Sequence, residues 1–110
     1  MTEHLLCNSI IEFLNYHRHY VWRQNAGMAK MTDKYGKSRM IKIGKVGISD
    51  IIGISKTGRF IAIEVKLPER RQTVTTYQRM FLADIKSHGG IAGVACSEEE
   101  ALKIVEKGSR

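Results

Sequence analysis

Asp50-Ile51-Ile52-Gly53-Ile54, a turn at Lys56-Thr57-Gly58-Arg59, and then Phe60-Ile61-Ala62-Ile63-Glu64-Val65-Lys66 form the stretch that decides the fold. Two short apolar runs joined by a glycine-containing turn predict neighbouring strands. Three charges stand where hydrophobicity alone would place Ile or Val: Asp50 opens the first run, and Glu64 and Lys66 close the second. A strand alternates its faces, so Glu64 and Lys66 project to one side and Val65 to the other. An ionised carboxylate among apolar strand neighbours is costly unless a cation or hydrogen bonds offset it. The pattern therefore leaves three readings: a bound cation, a catalytic site, or an ion pair.

Working outward, Leu6, Ile10, Phe13 and Leu14 recur at helical spacing, which predicts an amphipathic helix over residues 3–17 with Thr2 as N-cap. Glu3 falls on its inward stripe and Glu12 on its wet side. Tyr20 to Gln24 reads as a short strand. Residues 28–43 read as a hairpin turning at Asp33-Lys34-Tyr35-Gly36 and returning through Met40, Ile41 and Ile43. Gly44 and Gly47 bracket a loop before Asp50. Pro68 ends the second apolar strand and starts a basic loop. Thr75-Thr76-Tyr77-Gln78 opens a second helix that Gly89-Gly90 terminates. Ile91 to Cys96 is a short buried strand, and Ser97-Glu98-Glu99-Glu100 is a capping box opening a last helix. This order predicts an α/β domain whose mixed sheet is covered by helices, with parallel strands on either side of the second helix.

The 110 residues predict one domain, 1–110. No apolar run approaches membrane-spanning length, and Met1-Thr2-Glu3-His4 lacks the cationic start of a secretion signal. Cys7 and Cys96 form no CxxC pair and, with no sign of export, read as reduced buried thiols, in keeping with a cytoplasmic setting. The net charge is +7. From His17 to Val46 there are eight Lys or Arg (Arg18, Arg23, Lys30, Lys34, Lys37, Arg39, Lys42, Lys45) against one acid, Asp33. Tyr16, Tyr20, Trp22 and Tyr35 lie within or beside them, and Arg70, Arg71 and Arg79 form a second basic cluster. No basic amphipathic helix organises these charges, so nucleic acid is a better partner than membrane. Arg23, Asn25, Lys30, Lys34, Lys37, Arg39, Lys42, Lys45, Arg70 and Arg71 are the candidate DNA contacts. His4, His17, His19 and His88 show no metal-ligand spacing and read as surface groups. Ser49, Ser55 and Ser97 have no visible base partner.

Mg²⁺ takes hard oxygen ligands, usually one or two carboxylates with water and substrate phosphate completing the shell. Asp50 and Glu64 on adjacent strand ends meet that need, and the Val65 carbonyl can add a third oxygen. Glu3 can complete the shell directly or through water. Lys66, on the same face as Glu64, is placed to orient a hydroxide and stabilise a phosphoryl transition state. These are the parts of metal-assisted phosphodiester hydrolysis, while a surface ion pair is the bland alternative and contributes little.

The pattern Asp50, then Glu64-x-Lys66, resembles the PD-(D/E)XK nuclease superfamily. Gly47-Ile48-Ser49-Asp50, Ala62-Ile63-Glu64-Val65-Lys66 and Gln78 resemble its VRR-NUC branch, supported by Glu3, Trp22-Arg23-Gln24-Asn25 and Gly89-Gly90-Ile91-Ala92-Gly93-Val94. The resemblance implies a core order αβββαβ plus a C-terminal helix. It implies a Mg²⁺- or Mn²⁺-dependent DNA endonuclease with Glu3, Asp50 and Glu64 near the metal, Lys66 at the attacking water and Gln78 supporting the site. Catalysis then rests on Asp50, Glu64, Lys66 and Gln78, and metal binding on Glu3, Asp50, Glu64 and Val65, with no organic cofactor. Two departures stand out: Cys7 replaces a glutamine common in relatives, and Ser49 replaces the proline of the superfamily's name. Stand-alone members of this size are associated with homodimers acting on branched DNA such as four-way (Holliday) junctions. The rival readings are a nuclease acting on ordinary duplex or single strands, as restriction or repair enzymes do, and a DNA-binding module without catalysis.

Overall fold

The computed structural model describes residues 1–110 apart from 25–27, 43, 44, 46 and 110, and apart from the side chains of 28, 29, 41 and 42. Asn25 and Ile43 therefore lie outside the described residues, as does the Lys42 side chain.

Helix α1 (Glu3–Tyr16) starts where Thr2 Oγ1 accepts the Leu5 N–H at 3.1 Å. It stops at Arg18, which adopts the left-handed conformation (φ 74°). The Arg18 N–H then bonds the Asn15 carbonyl at 3.0 Å and the His19 N–H the Leu14 carbonyl at 3.1 Å, closing the helix as a glycine usually does. The chain turns directly into β1 (Tyr20–Arg23). Strands β2 (Met28–Thr32) and β3 (Ser38–Lys42) form a hairpin pinned by Asp33 Oδ1, which accepts the Tyr35 and Lys37 N–H groups. Then come β4 (Ile51–Ile54), β5 (Phe60–Val65), a 3-10 helix (Pro68–Thr73), α2 (Thr76–Ser87), β6 (Ile91–Ala95) and α3 (Glu98–Gly108).

Four strands make the main sheet in the order β1-β4-β5-β6, and the hairpin is a two-stranded sheet of its own. β1, β4 and β5 pair antiparallel, whereas β5 and β6 are parallel and joined through α2. With the hairpin set aside, the order is αβββαβ plus a C-terminal helix, a mixed sheet flanked by helices. The radius of gyration is 15.3 Å and the extents are 54 × 32 × 27 Å, against roughly 13 Å for a compact chain of this length. A hairpin pairing only with itself accounts for that elongation.

One sheet face is closed. Val21, Ile51, Ile61, Ile63 and Val65 pack against Leu6, Ile10 and Leu14 of α1 and Val105 of α3, all buried. Each fully buried Ile contributes roughly 1.5–3 kcal/mol. The other face is half covered: Phe81 and Leu82 of α2 sit on Ala62 and Ala92, and α2 packs over β5 and β6.

Three local expectations change. The basic segment after Pro68 is a 3-10 helix rather than a loop, since proline suits a helix's first position. His19 is buried rather than on the surface: its Nδ1 accepts the Lys56 N–H at 3.1 Å and its Nε2 faces Glu106 Oε1 at 3.3 Å. Its ring thereby ties the β4–β5 turn to α3. At α3, Ser97 Oγ accepts the Glu100 N–H, but Glu100 reaches past the cap to the Cys96 N–H at 2.8 Å, so the capping box is shifted by one residue.

Candidate active site

The site forms where the β4–β5 ladder stops. Ile51↔Ile63 is the last pair described there. Beyond it the Val65 N–H goes to Asp50 Oδ2 at 2.9 Å. A side chain thus takes the place of a strand partner and is held by the backbone it caps. Asp50 is fixed from its other side too, its carbonyl accepting the Gln24 N–H at 2.7 Å. Ser49 is fully buried and satisfied, donating to the Ile51 carbonyl at 2.9 Å. Before it, Gly47 (φ 77°) lies so close to the Tyr77 backbone that a Cβ would collide with the Tyr77 carbonyl. That contact seats the first turn of α2 beside the loop entering Asp50.

Glu64 lies on the half-covered face with Asp50, and is only 2% exposed. Gln78 Nε2 donates to Glu64 Oε1 across a long 3.4 Å. The same Gln78 uses its Oε1 to accept the Thr75 N–H at 2.8 Å, completing the capping box of α2. One amide therefore caps the helix and steadies the carboxylate. Among the described residues no donor group reaches Glu64 Oε2, so the ionised carboxylate is left short of a hydrogen bond at a cost of roughly 1–3 kcal/mol or more. Burial first, then a hydrogen bond that the protonated carboxyl makes with Asp50 and the charge of Asp50 itself, pushes the Glu64 carboxyl up to about 9; Lys66 pulls it down and Glu3 adds to the rise. At neutral pH such a carboxyl keeps its proton unless further positive charge arrives.

Lys66 is half-buried on the same side, its N–H bonded to the Ala95 carbonyl at 3.1 Å. Glu3 is half-buried in the first turn of α1, near enough for its charge to act on Glu64. Cys7 is buried and feels Arg23, Asp50 and Glu64; burial leads in pushing its thiol up to about 11, so it faces the acids as a neutral group. Among the described residues, no three His, Cys, Asp or Glu side chains gather tightly enough to hold a metal by themselves. The donor set at Asp50 and Glu64 nonetheless fits a hard divalent cation, because a buried carboxylate oxygen is orphaned and its acid is short of positive charge.

The candidate DNA contacts divide into two groups. Lys30, Lys34, Lys37 and Arg39 stand exposed along the hairpin, and Lys45 and Arg70 are exposed nearer the core. Arg23 instead anchors α1, donating to the His4 carbonyl at 3.1 Å and to Asn8 Oδ1 at 3.3 Å. Arg71 pairs with Glu100 at 2.8 Å. No described helix is long and apolar enough to cross a membrane. The spacing Thr75-x-x-Gln78 already marks a capping box in the sequence, and it forms; the packing of Gly47 against the Tyr77 backbone has no local signal beyond a glycine three residues before the aspartate.

A family model for the VRR-NUC domain matches residues 10–99. Asp50, Glu64, Lys66 and Gln78 lie inside the match, while Glu3 and Cys7 precede it. No curated protein matches the chain.

Proposed function

We propose, given that this chain belongs to the VRR-NUC domain family of nucleases, that it is a divalent-metal-dependent DNA endonuclease acting on branched DNA as a homodimer in the cytoplasm. The observation carrying the proposal is the orphaned, buried Glu64 carboxylate beside Asp50 and Lys66. Asp50, Glu64 and the Val65 carbonyl would hold Mg²⁺ or Mn²⁺, with Glu3 acting through water. When bound, such an ion lowers the pKa of water and offsets charge building on the phosphate. The chain's own residues do the rest. Asp50 is held in place by the Val65 N–H, and Gln78 keeps the Glu64 carboxylate turned toward it. Lys66 orients the attacking water and stabilises negative charge in the transition state.

The hairpin supplies the substrate arm. A two-stranded ribbon is narrow enough for a major groove, and its exposed Lys30, Lys34, Lys37 and Arg39 suit phosphates on either side. Branched DNA is favoured because a homodimer presents two sites related by a two-fold axis, matching the symmetry of a four-way junction. The decisive experiment incubates the protein with duplex, single-stranded, flap and four-way junction DNA, with Mn²⁺ and with chelator. Cleavage of the junction only with metal is expected. Salt-sensitive binding without cleavage under any divalent ion would reduce the protein to a binding module.

A further inference from the structure

Tyr77 is an aromatic side chain that the fold leaves uncovered beside the site. It is the second residue of α2, immediately before Gln78, whose amide reaches Glu64 Oε1 at 3.4 Å. Its backbone lies against Gly47, where an added Cβ would stand 3.0 Å from the Tyr77 Cβ. Gly47 belongs to a turn closed by the Ile48 N–H on the Lys45 carbonyl at 3.2 Å, and that turn leads straight into Asp50. Tyr77 therefore sits between the two segments that carry Asp50 and Glu64. Its side chain nevertheless stays 64% exposed, and Met80, one helical turn on, is 55% exposed. Phe81 and Leu82 supply the contact of α2 with the sheet, and neither Tyr77 nor Met80 joins a buried apolar cluster. The fold thus gains little from an aromatic ring at this position.

We infer that Tyr77 binds substrate by stacking on a nucleobase next to the phosphate held at Asp50 and Glu64, and that the DNA carries an unpaired or end-exposed base there. This rests on the proposed nuclease reading and narrows its substrate. The three-residue path from Gly47 to Asp50 spans at most about 11 Å. Stacked DNA rises about 3.4 Å per nucleotide along a strand, which brings the ring within about three nucleotides of that phosphate. Exposed Lys45, in the same turn, and half-buried Lys66 supply positive charge for the flanking phosphates. The ring supplies a flat apolar face, which any base can match. A base inside an intact duplex has both faces covered by its neighbours. One at a flap, gap, end or branch has a free face. Tyr77 thus favours interrupted DNA over intact duplex without reading its sequence.

The test reads binding in chelator, so that no cleavage intervenes. A flap substrate carries 2-aminopurine, whose emission falls when it stacks on an aromatic ring, at each unpaired nucleotide nearest the branch in turn. Wild type and Tyr77→Phe should quench the emission at one or more of these positions, and Tyr77→Ala should leave it bright. By affinity, Tyr77→Ala should bind the flap about 10-fold more weakly than wild type and a fully paired duplex within about two-fold. Its far-UV circular dichroism spectrum should be unchanged. Quenching by Tyr77→Ala equal to wild type, or an equal loss of affinity for flap and duplex, overturns the inference. A loss by Tyr77→Phe as great as that by Tyr77→Ala also overturns it, because it assigns the hydroxyl rather than the ring. Quenching that depends on Tyr77 in a protein that never cuts DNA under Mn²⁺ sinks only the nuclease reading. Cleavage under Mn²⁺ without such quenching sinks only the stacking role of Tyr77.

Discussion

The two faces of the main sheet are made by the same strands, and they differ in what covers them. On one face Ile51, Ile61, Ile63 and Val65 are sealed beneath α1 and α3. The other carries three successive zones: apolar residues under α2, the Asp50–Glu64 row, and the bare Tyr20–Trp22 surface. The closed face is apolar except at its edge, where half-buried Arg23 donates to His4 and Asn8 of α1, and its sequence reads as alternation. The half-covered face holds a buried carboxylate short of positive charge, Glu64, beside a half-buried Asp50. The larger buried apolar cluster lies on the first face and the candidate site on the second, even though neighbouring residues of β5 alternate between them.

The sharpest way to break this comparison is to change one residue on each side. Lys66→Ala, on the chemical side, should lower cleavage by about 10²–10³-fold or more, while metal-free DNA binding measured by fluorescence anisotropy stays within about two-fold. Cleavage equal to wild type would remove Lys66 from the reaction. Ile63→Ala, one residue before Glu64 and fully buried, should cost about 2–5 kcal/mol in denaturant unfolding. Ile54→Ala on the bare end should cost less than about 1 kcal/mol in dilute protein. Equal costs would erase the distinction between the faces.

Glu64 tests the contrast through pH. Its folded pKa, about 9, lies above its ordinary 4.5, so its favourable contribution is complete below about 4.5 and is lost as pH rises toward 9. In chelator, Glu64→Gln should therefore melt above wild type at pH 8, by about 4 °C for each 1 kcal/mol of relieved penalty, and the gap should close toward pH 5. A variant that melts below wild type at pH 8 would mean that burial of this charge costs the fold nothing. The smallest effect belongs to the hairpin: each Lys30, Lys34 or Lys37 to Ala change should reduce the salt slope of DNA binding by about 0.9 if that residue contacts a phosphate. An unchanged slope in the triple variant would move the substrate off the hairpin.

Much of the closed face was legible in the sequence. The Leu6-Ile10-Leu14 stripe and the alternation through Ile61, Ile63 and Val65 follow from helical and strand periods alone. Asp50, Glu64 and Lys66 also stood out, because charge in an apolar run needs a reason. What stayed hidden depends on long-range contact. Nothing local shows that His19 would be enclosed between the Lys56 turn and Glu106, or that Gly47 would meet the Tyr77 backbone. The alternation of Tyr20, Val21 and Trp22 shows that two faces exist, but which one a helix covers is decided by α2, more than fifty residues later.

If Glu64 is held ready for a divalent cation, calorimetry should register the ion displacing its proton. Mn²⁺ is titrated into the protein at pH 7.5 in two buffers of different ionisation enthalpy. Binding to wild type should release about one proton, so that the apparent enthalpy depends on the buffer, and Glu64→Gln should bind no Mn²⁺ at this site. Tight Mn²⁺ binding by Glu64→Gln, or wild-type binding with no proton released, would contradict it.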